Sequence, residues 1–301
     1  MKNIIAVIWD FDKTLVDGYM QDPIFEHYGV DPVRFWDNVN TMPERIMREQ
    51  GVRVNPDTAY LNEFLREARP GGCFQGIGNS QLREFGSKLR FYRGVPDIFR
   101  KTREVVQTNE YQDFDIKVEH YIVSTGFTQV IKGSVVNDYV RSVWGCELIE
   151  APGPDGKPVI SEIGYTIDNT TKTRALFEIN KGVNVDDRIT VNSTMTREQR
   201  RVDFRNMIYI ADGPSDVPAF SVVKGRGGSA FAIYPKGRAD ALSQVETLRK
   251  DGRIDMFAEA DYSNDSTACM WICNKIREYA DRLVAEARAA APTGCGPHHL
   301  H

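Results

Sequence analysis

The feature that most constrains this chain is an apolar run near its start that ends abruptly in two acids. Residues 4–9 read IIAVIW, and such a run, rich in β-branched residues, is typical of a buried strand. Asp10 and Asp12 follow it, on either side of Phe11. In an open α/β sheet, ligands bind beyond the carboxyl ends of the strands. The sequence therefore predicts a functional site here; a solvated polar turn after an edge strand is the alternative.

Two carboxylates at one strand end allow two kinds of chemistry. Both can hold a hard cation such as Mg²⁺, which prefers oxygen ligands. One can also act as a nucleophile while the other serves as general acid and base.

The overall composition is that of a packed globular protein. The chain has 301 residues, of which 41% are hydrophobic and 27% charged, enough for one large α/β domain or two smaller ones. Its formal net charge of −4 argues against nucleic acid as a partner. No apolar run reaches the length of about 18 residues that a membrane span requires, so no membrane partner is expected.

The cysteines predict a cytoplasmic location. Five of them are scattered along the chain, which fits reduced thiols better than a disulfide framework. Cys269 and Cys273 lie four positions apart and are interpreted as small core residues on one helix face. A strand that begins at residue 4 also argues against a signal peptide.

Three later segments carry polar residues of the same kind. A strand is predicted over residues 116–123, followed by STGF at 124–127 and a helix from residue 129. A second strand is predicted over residues 207–211, followed by DGPSD at 212–216. For Ser124 and Asp216 the alternative role is that of an ordinary helix cap.

A helix is predicted from residue 172, because Asn or Thr precedes it and Gly182 closes it. Lys172 therefore lies in the first turn, where a cation opposes the helix dipole unless an anion is held close by. An exposed surface lysine is the alternative interpretation.

These motifs, taken in order, resemble those of the haloacid dehalogenase superfamily. The DFDKTL motif at residues 10–15 is similar to the first motif of its phosphatase form, and the later segments follow in the family's order over residues 4–235. The resemblance, to the phosphoserine-phosphatase-like branch, implies a doubly wound, mostly parallel (Rossmann-like) α/β core with a helical cap. The expected division is a core of 1–17 and 92–291, a cap of 18–91 and a disordered tail of 292–301.

The resemblance also implies roles for single residues. Asp10 would attack phosphorus, Asp12 would protonate the leaving oxygen and then activate water, and Lys172 would neutralise charge. Phosphate would be bound by Ser124, Thr125, Gly126 and Lys172, and Mg²⁺ by the cluster of Asp10, Asp12, Asp212 and Asp216, the last in a supporting position.

The implied function is a Mg²⁺-dependent phosphatase acting on a small phosphorylated substrate. Two alternatives remain open: a catalytically inert binding or regulatory protein of the same fold, and a phosphoprotein phosphatase. The branch that hydrolyses phosphoserine typically carries a Glu shortly after the first motif, whereas Tyr19, Met20 and Gln21 stand here. The identity of the substrate therefore does not follow from the sequence.

Overall fold

A computed structural model describes residues 3–153 and 155–290 of the protein. Its strands are β1 (Ile4–Trp9), β2 (Lys117–Phe127), β3 (Ser142–Pro152), β4 (Pro158–Tyr165), β5 (Met207–Ala211), β6 (Ser229–Tyr234) and β7 (Met256–Glu259). They form one sheet in the order β4-β3-β2-β1-β5-β6-β7. All neighbours are parallel except β3 and β4, which form an antiparallel hairpin. The predicted α/β fold with a mostly parallel sheet is confirmed.

Helices surround this sheet. They are α1 (Asp22–Tyr28), α2 (Pro32–Gln50), α3 (Ala59–Ala68), α4 (Asn79–Gly86), α5 (Asp97–Glu104), α6 (Asn109–Asp113), α7 (Thr128–Lys132), α8 (Lys172–Lys181), α9 (Val217–Gly225), α10 (Ala239–Lys250) and α11 (Thr267–Ala290). Cys269 and Cys273 are buried on α11, as predicted for small core residues on one helix face. None of the helices in the described ranges has the length and apolar composition of a membrane span.

Strand β1 lies at the centre of the sheet, and all six of its side chains are buried. Successive side chains point to opposite faces of the sheet, so Trp9 packs with α5 and α11 on one face and Ile8 with α8 and α9 on the other. Trp9 pairs with Ile122 of β2 on one side and with Ile210 of β5 on the other. This register brings the carboxyl ends of three strands to one place.

Two strand predictions need correction. Strand β2 does not stop at residue 123 but continues to Phe127, with a register shift against β3 between Val123 and Phe127. The Ser-Thr-Gly segment therefore lies inside an irregular strand rather than after it. Strand β7 was not predicted, because it spans four residues and only one of them is fully buried, too few to show a strand period.

The helices α1 to α4 occupy residues 22–86, inside the segment predicted to be a cap. Their aromatic core continues into the sheet, since Phe64 of α3 packs 4.8 Å from Phe127 of β2, measured between ring centroids. The division into a core of 1–17 and 92–291 and a cap of 18–91 stays a prediction. The tail at 292–301 lies outside the described residues.

Candidate active site

The site begins with Asp10, which directly follows β1. Its backbone N–H donates to the Ile210 carbonyl oxygen of β5 at 2.9 Å, so the sheet hydrogen bonding holds the residue in place. Asp212 follows β5, and Ser124 lies two residues beyond the partner of Trp9 in β2. The polar residues predicted from three distant segments thus converge on one edge of the sheet.

Lys172 reaches this edge from the first position of α8. Its Nζ atom donates to Asp10 Oδ1 at 2.8 Å and to Asp216 Oδ1 at 2.6 Å, and the residue is 1% exposed. The loop before the helix is fixed by Asp168, whose Oδ1 atom accepts from the backbone N–H groups of Thr170 and Thr171. The interpretation of Lys172 as an exposed surface lysine is therefore wrong.

Asp216 holds the lysine from the other side. Besides Lys172, it accepts hydrogen bonds from the Tyr209 hydroxyl at 2.6 Å and the Ser215 hydroxyl at 2.9 Å. It stands at the cap position of α9, but its side chain does not cap the helix. Because both carboxylate oxygens already accept donors, Asp216 positions Lys172 more readily than it would take a metal ion.

A cation could be held at this cluster, chiefly by Asp10 and Asp212. One carboxylate oxygen each from Asp10, Asp212 and Asp216 lies within 4.8 Å of the other two. Asp212 accepts no side-chain hydrogen bond from the residues that the structure describes, which leaves its oxygens open. Hard carboxylate oxygens at this spacing fit Mg²⁺, which takes one or two carboxylates and completes its shell with water and phosphate oxygens.

The pKa values of the clustered acids and of Lys172 also bear on whether a cation is bound here. Burial raises the pKa of Asp10 to about 6, although Lys172 acts against it. Burial, with the neighbouring charges of Asp10 and Asp216, raises the pKa of Asp212 to about 7. Burial opposes the charge on Lys172, but the two carboxylates outweigh it and raise the pKa of the lysine. A cation placed among these carboxylates would favour their ionised forms and so lower the raised pKa values.

Asp12 differs from these acids in its surroundings. Its Oδ1 atom accepts from the Met20 backbone N–H at 2.9 Å. Burial and the nearby Asp10 charge raise the pKa of Asp12 well above its ordinary value. A carboxyl group kept protonated at higher pH is suited to donate a proton.

The Ser-Thr-Gly segment lies beneath the helices of residues 22–86. The Ser124 hydroxyl oxygen accepts from the Gly126 backbone N–H at 3.0 Å, which leaves its hydrogen available for donation. The Thr125 carbonyl oxygen accepts from the Tyr60 hydroxyl at 2.7 Å and from the Cys146 thiol at 3.3 Å. That Ser124, Thr125 and Gly126 bind phosphate stays a prediction.

Sequence reasoning missed two residues that support the site. Tyr209 lies within the apolar run of β5, and its buried hydroxyl bonds to Asp216; a tyrosine in such a run needs a polar partner, which is the signal that could have identified it. Met20 packs against the Ser-Thr-Gly segment, and its Sδ atom accepts from the Phe127 backbone N–H at 3.0 Å. No sequence pattern indicates that contact.

Comparison with solved structures shows where this architecture occurs elsewhere. A hydrolase of the haloacid dehalogenase family from Salmonella enterica serovar Typhi superposes with a TM-score of 0.55 at 11% identity, over 90% of this chain and 71% of that one. This chain has the haloacid dehalogenase fold. A substrate-bound phosphoserine phosphatase of the same fold superposes with a TM-score of 0.51 at 14% identity, over 85% of this chain and 93% of that one.

Sequence comparison adds one relative. A Borreliella burgdorferi protein described as uncharacterized is 36% identical over 289 residues, which is 91% of this chain and 97% of that protein. The two chains belong to one family. No protein-family model matches this chain. The resemblance to the haloacid dehalogenase superfamily is thus confirmed at the level of the fold, while the roles of the site residues stay predictions.

Proposed function

We propose that this protein is a Mg²⁺-dependent phosphohydrolase that cleaves a small phosphomonoester through an aspartyl-phosphate on Asp10. The observation that carries the proposal is the buried bridge in which Lys172 Nζ binds both Asp10 and Asp216, beside the open carboxylate of Asp212. A structural ion pair alone would not need a third, partly exposed acid within reach of the other two.

In the first half-reaction a carboxylate oxygen of Asp10 attacks phosphorus in line with the leaving oxygen. The new bond joins Asp10 to phosphorus, and the bond from phosphorus to the leaving oxygen breaks. Asp12 gives its proton to that oxygen, which departs as an alcohol. Bound Mg²⁺ would be held by Asp10 and Asp212 and would supply positive charge to the phosphoryl oxygens.

In the second half-reaction the roles of Asp12 reverse. Its carboxylate, now deprotonated, takes a proton from a water molecule that attacks phosphorus. The bond between Asp10 and phosphorus breaks, which releases phosphate and restores both acids. Throughout, Lys172, the Ser124 hydroxyl and the Thr125 backbone N–H would bind the phosphoryl oxygens and stabilise their charge. The Gly126 backbone N–H, which donates to the Ser124 hydroxyl oxygen, would orient that hydroxyl or turn to the phosphoryl group when it binds.

The position of the segment 22–86 favours a small substrate over a phosphoprotein. This segment meets the site edge at Tyr60, which bonds to Thr125, and at Asn55, whose side chain donates to Asp168 at 3.0 Å. Contacts on both sides of the site restrict the approach of a folded protein surface. The described cysteines are free thiols, which fits the predicted cytoplasmic location.

The proposal is tested by hydrolysis of p-nitrophenyl phosphate and of a panel of phosphorylated metabolites, with Mg²⁺ or with a chelator. We expect turnover that requires Mg²⁺ and that falls to background in Asp10→Asn, while the exposed control Asp37→Asn retains it. Turnover that survives in Asp10→Asn would remove the nucleophile. An inactive wild-type protein across the panel, with Mg²⁺ present, would favour the inert binding protein.

A further inference from the structure

A second lysine stands at the opening of the site and has no role in the mechanism above. Lys13 directly follows Asp12, and its Nζ atom donates to the Tyr19 hydroxyl oxygen at 2.5 Å and lies 4.2 Å from the centre of that ring. Among the residues that the structure describes, no carboxylate forms an ion pair with it. Lys172, in contrast, already donates to two carboxylates, those of Asp10 and Asp216.

The backbone of Lys13 is unusual for a residue of its type. Its φ angle is +55°, in the left-handed region where a side chain other than glycine costs about 1–2 kcal/mol. The conformation is held by the Lys13 backbone N–H, which donates to the Gly18 carbonyl oxygen at 3.0 Å. Strain of this kind persists where the surrounding structure imposes it, and it is concentrated at functional sites.

Among the described residues, the ammonium group that pairs with Asp10 is that of Lys172, and the Lys13 ammonium contacts Tyr19 instead. A phosphoryl group must touch Asp10, which is 6% exposed, whereas the partner of Lys13, Tyr19, is 38% exposed. The charge of Lys13 still reaches the site, because it lowers the pKa of Asp212. Lys13 is therefore close to the acids, and its partner Tyr19 places it toward solvent. The leaving group of a phosphomonoester held at the buried Asp10 would have to extend in the direction of solvent.

Tyr19 connects this lysine to the helices of residues 22–86. Its ring lies 5.8 Å from that of Trp36 in α2, which lies 6.2 Å from that of Tyr60 in α3, all measured between ring centroids. Tyr60 in turn bonds to Thr125. The three rings thus form a continuous chain of contacts from Lys13 to the Ser-Thr-Gly segment.

We propose that Lys13 binds a second anionic group on the leaving part of the substrate, a carboxylate or a second phosphate, and so sets the specificity of the enzyme. The inference rests on the proposed phosphatase function. An ammonium group without a carboxylate partner, fixed beside an aromatic ring, matches a compact anion, and a charge-assisted hydrogen bond to it strengthens binding. Substrates with a neutral leaving group would lack this contact.

The test compares matched substrates. Glycerol 3-phosphate has a neutral leaving group, 3-phosphoglycerate replaces a hydroxymethyl group by a carboxylate, and propane-1,3-diol bisphosphate carries a second phosphate. We expect kcat/KM to favour at least one anionic substrate by about tenfold, a difference of about 1.4 kcal/mol. In Lys13→Met that ratio should fall toward one through a higher KM, and Lys13→Arg should restore part of it. The control Lys117→Met, at the opposite end of β2, should keep the wild-type ratio.

A binding measurement tests the role of Lys13 independently of the proposed phosphatase activity. Dissociation constants for the same three compounds are measured by calorimetry on Asp10→Asn with Mg²⁺, with and without Lys13→Met. Equal affinity for neutral and anionic compounds, or a Lys13→Met effect that is the same for all three, would overturn the inference while leaving the phosphatase assignment intact. Absence of hydrolysis together with Lys13-dependent preference in binding would overturn the phosphatase assignment alone.

Discussion

The Lys172 ammonium nitrogen lies 2.8 Å from a carboxylate oxygen of Asp10, although 162 positions separate the two residues in the chain. Parallel strands and the helix that follows the β3–β4 hairpin bring them together. The pair is buried, so its charges interact without the screening that water provides at a surface. Removing either partner of the pair should therefore affect both the stability of the protein and the chemistry of the site.

Replacing Lys172 by Met should strongly destabilise the protein. Asp10 and Asp216 would remain buried without their cation, and removing one partner from a buried pair costs about 3–5 kcal/mol. Lys224→Met, which breaks the partly exposed pair with Asp255, should cost about 1 kcal/mol or less. Urea unfolding of both variants measures the difference. Equal losses would show that the buried bridge contributes no more than a surface pair.

The titration of the Asp212 carboxyl group should appear in the pH dependence of stability. Its pKa rises from 3.8 to about 7 on folding, so the folded state binds this proton more tightly than the unfolded state. The stabilisation is complete below pH 3.8 and is lost as the pH rises through about 7, at up to about 1.4 kcal/mol per pH unit for one carboxyl group. Metal-free protein should therefore be less stable at pH 8 than at pH 5.

Asp212→Asn should reduce this loss without abolishing it, because burial also raises the pKa of Asp10 and of Asp12. The exposed control Asp37→Asn should leave the loss unchanged. Mg²⁺ should raise the unfolding temperature of the wild-type protein more at pH 8 than at pH 5, because protons compete with the cation at low pH. Thermal unfolding at the two pH values tests both statements. An Asp212→Asn profile as steep as that of the wild type would mean that Asp212 is not the titrating group.

Asp12 should matter most for substrates with poor leaving groups. An alkyl oxide needs a proton as it departs, whereas p-nitrophenolate does not, and a positioned general acid contributes about 10²–10⁴-fold. We expect Asp12→Asn to reduce kcat for alkyl phosphates far more than for p-nitrophenyl phosphate in single-turnover measurements. The same reduction for both substrates would indicate that Asp12 acts through the structure of the site instead of as an acid.

The contact between α4 and α7 should tolerate no side chain at Gly86. A Cβ atom there would overlap the Val130 carbonyl oxygen and the Gly133 backbone, none of which can move aside alone, so Gly86→Ala should cost about 1–3 kcal/mol. Gly225, at the end of α9, has nothing within 4 Å of the same position, and Gly225→Ala should change stability by less than about 1 kcal/mol. Chemical unfolding of the two variants provides the comparison.

The sequence predicted the centre of the fold because β1 and β5 are buried on both faces and so read as unbroken apolar runs that end in acids. It predicted the end of β2 wrongly because glycine, here Gly126, has a low strand propensity, whereas pairing with β3 extends the strand to Phe127.

The supporting contacts of the site could not be predicted from local patterns. Met20 and Phe127 are 107 positions apart, and only the folded chain brings the thioether to the end of β2. For Tyr209, its place in an apolar run signals that its hydroxyl needs a polar partner, but only the structure shows that this partner is Asp216. The sequence therefore predicts which acids and which lysine lie together, and the fold shows which contacts hold them in position.

The most direct test of the account is to trap the phosphorylated intermediate. Wild-type protein with Mg²⁺ is mixed with a hydrolysed phosphomonoester, quenched in acid within the first turnover and digested, and the peptide that contains Asp10 is examined by mass spectrometry. We predict one added phosphoryl group on Asp10, labile to hydroxylamine, and none in Asp10→Asn. Turnover without any phosphoryl group on that peptide, or with the group on another residue, would contradict the account.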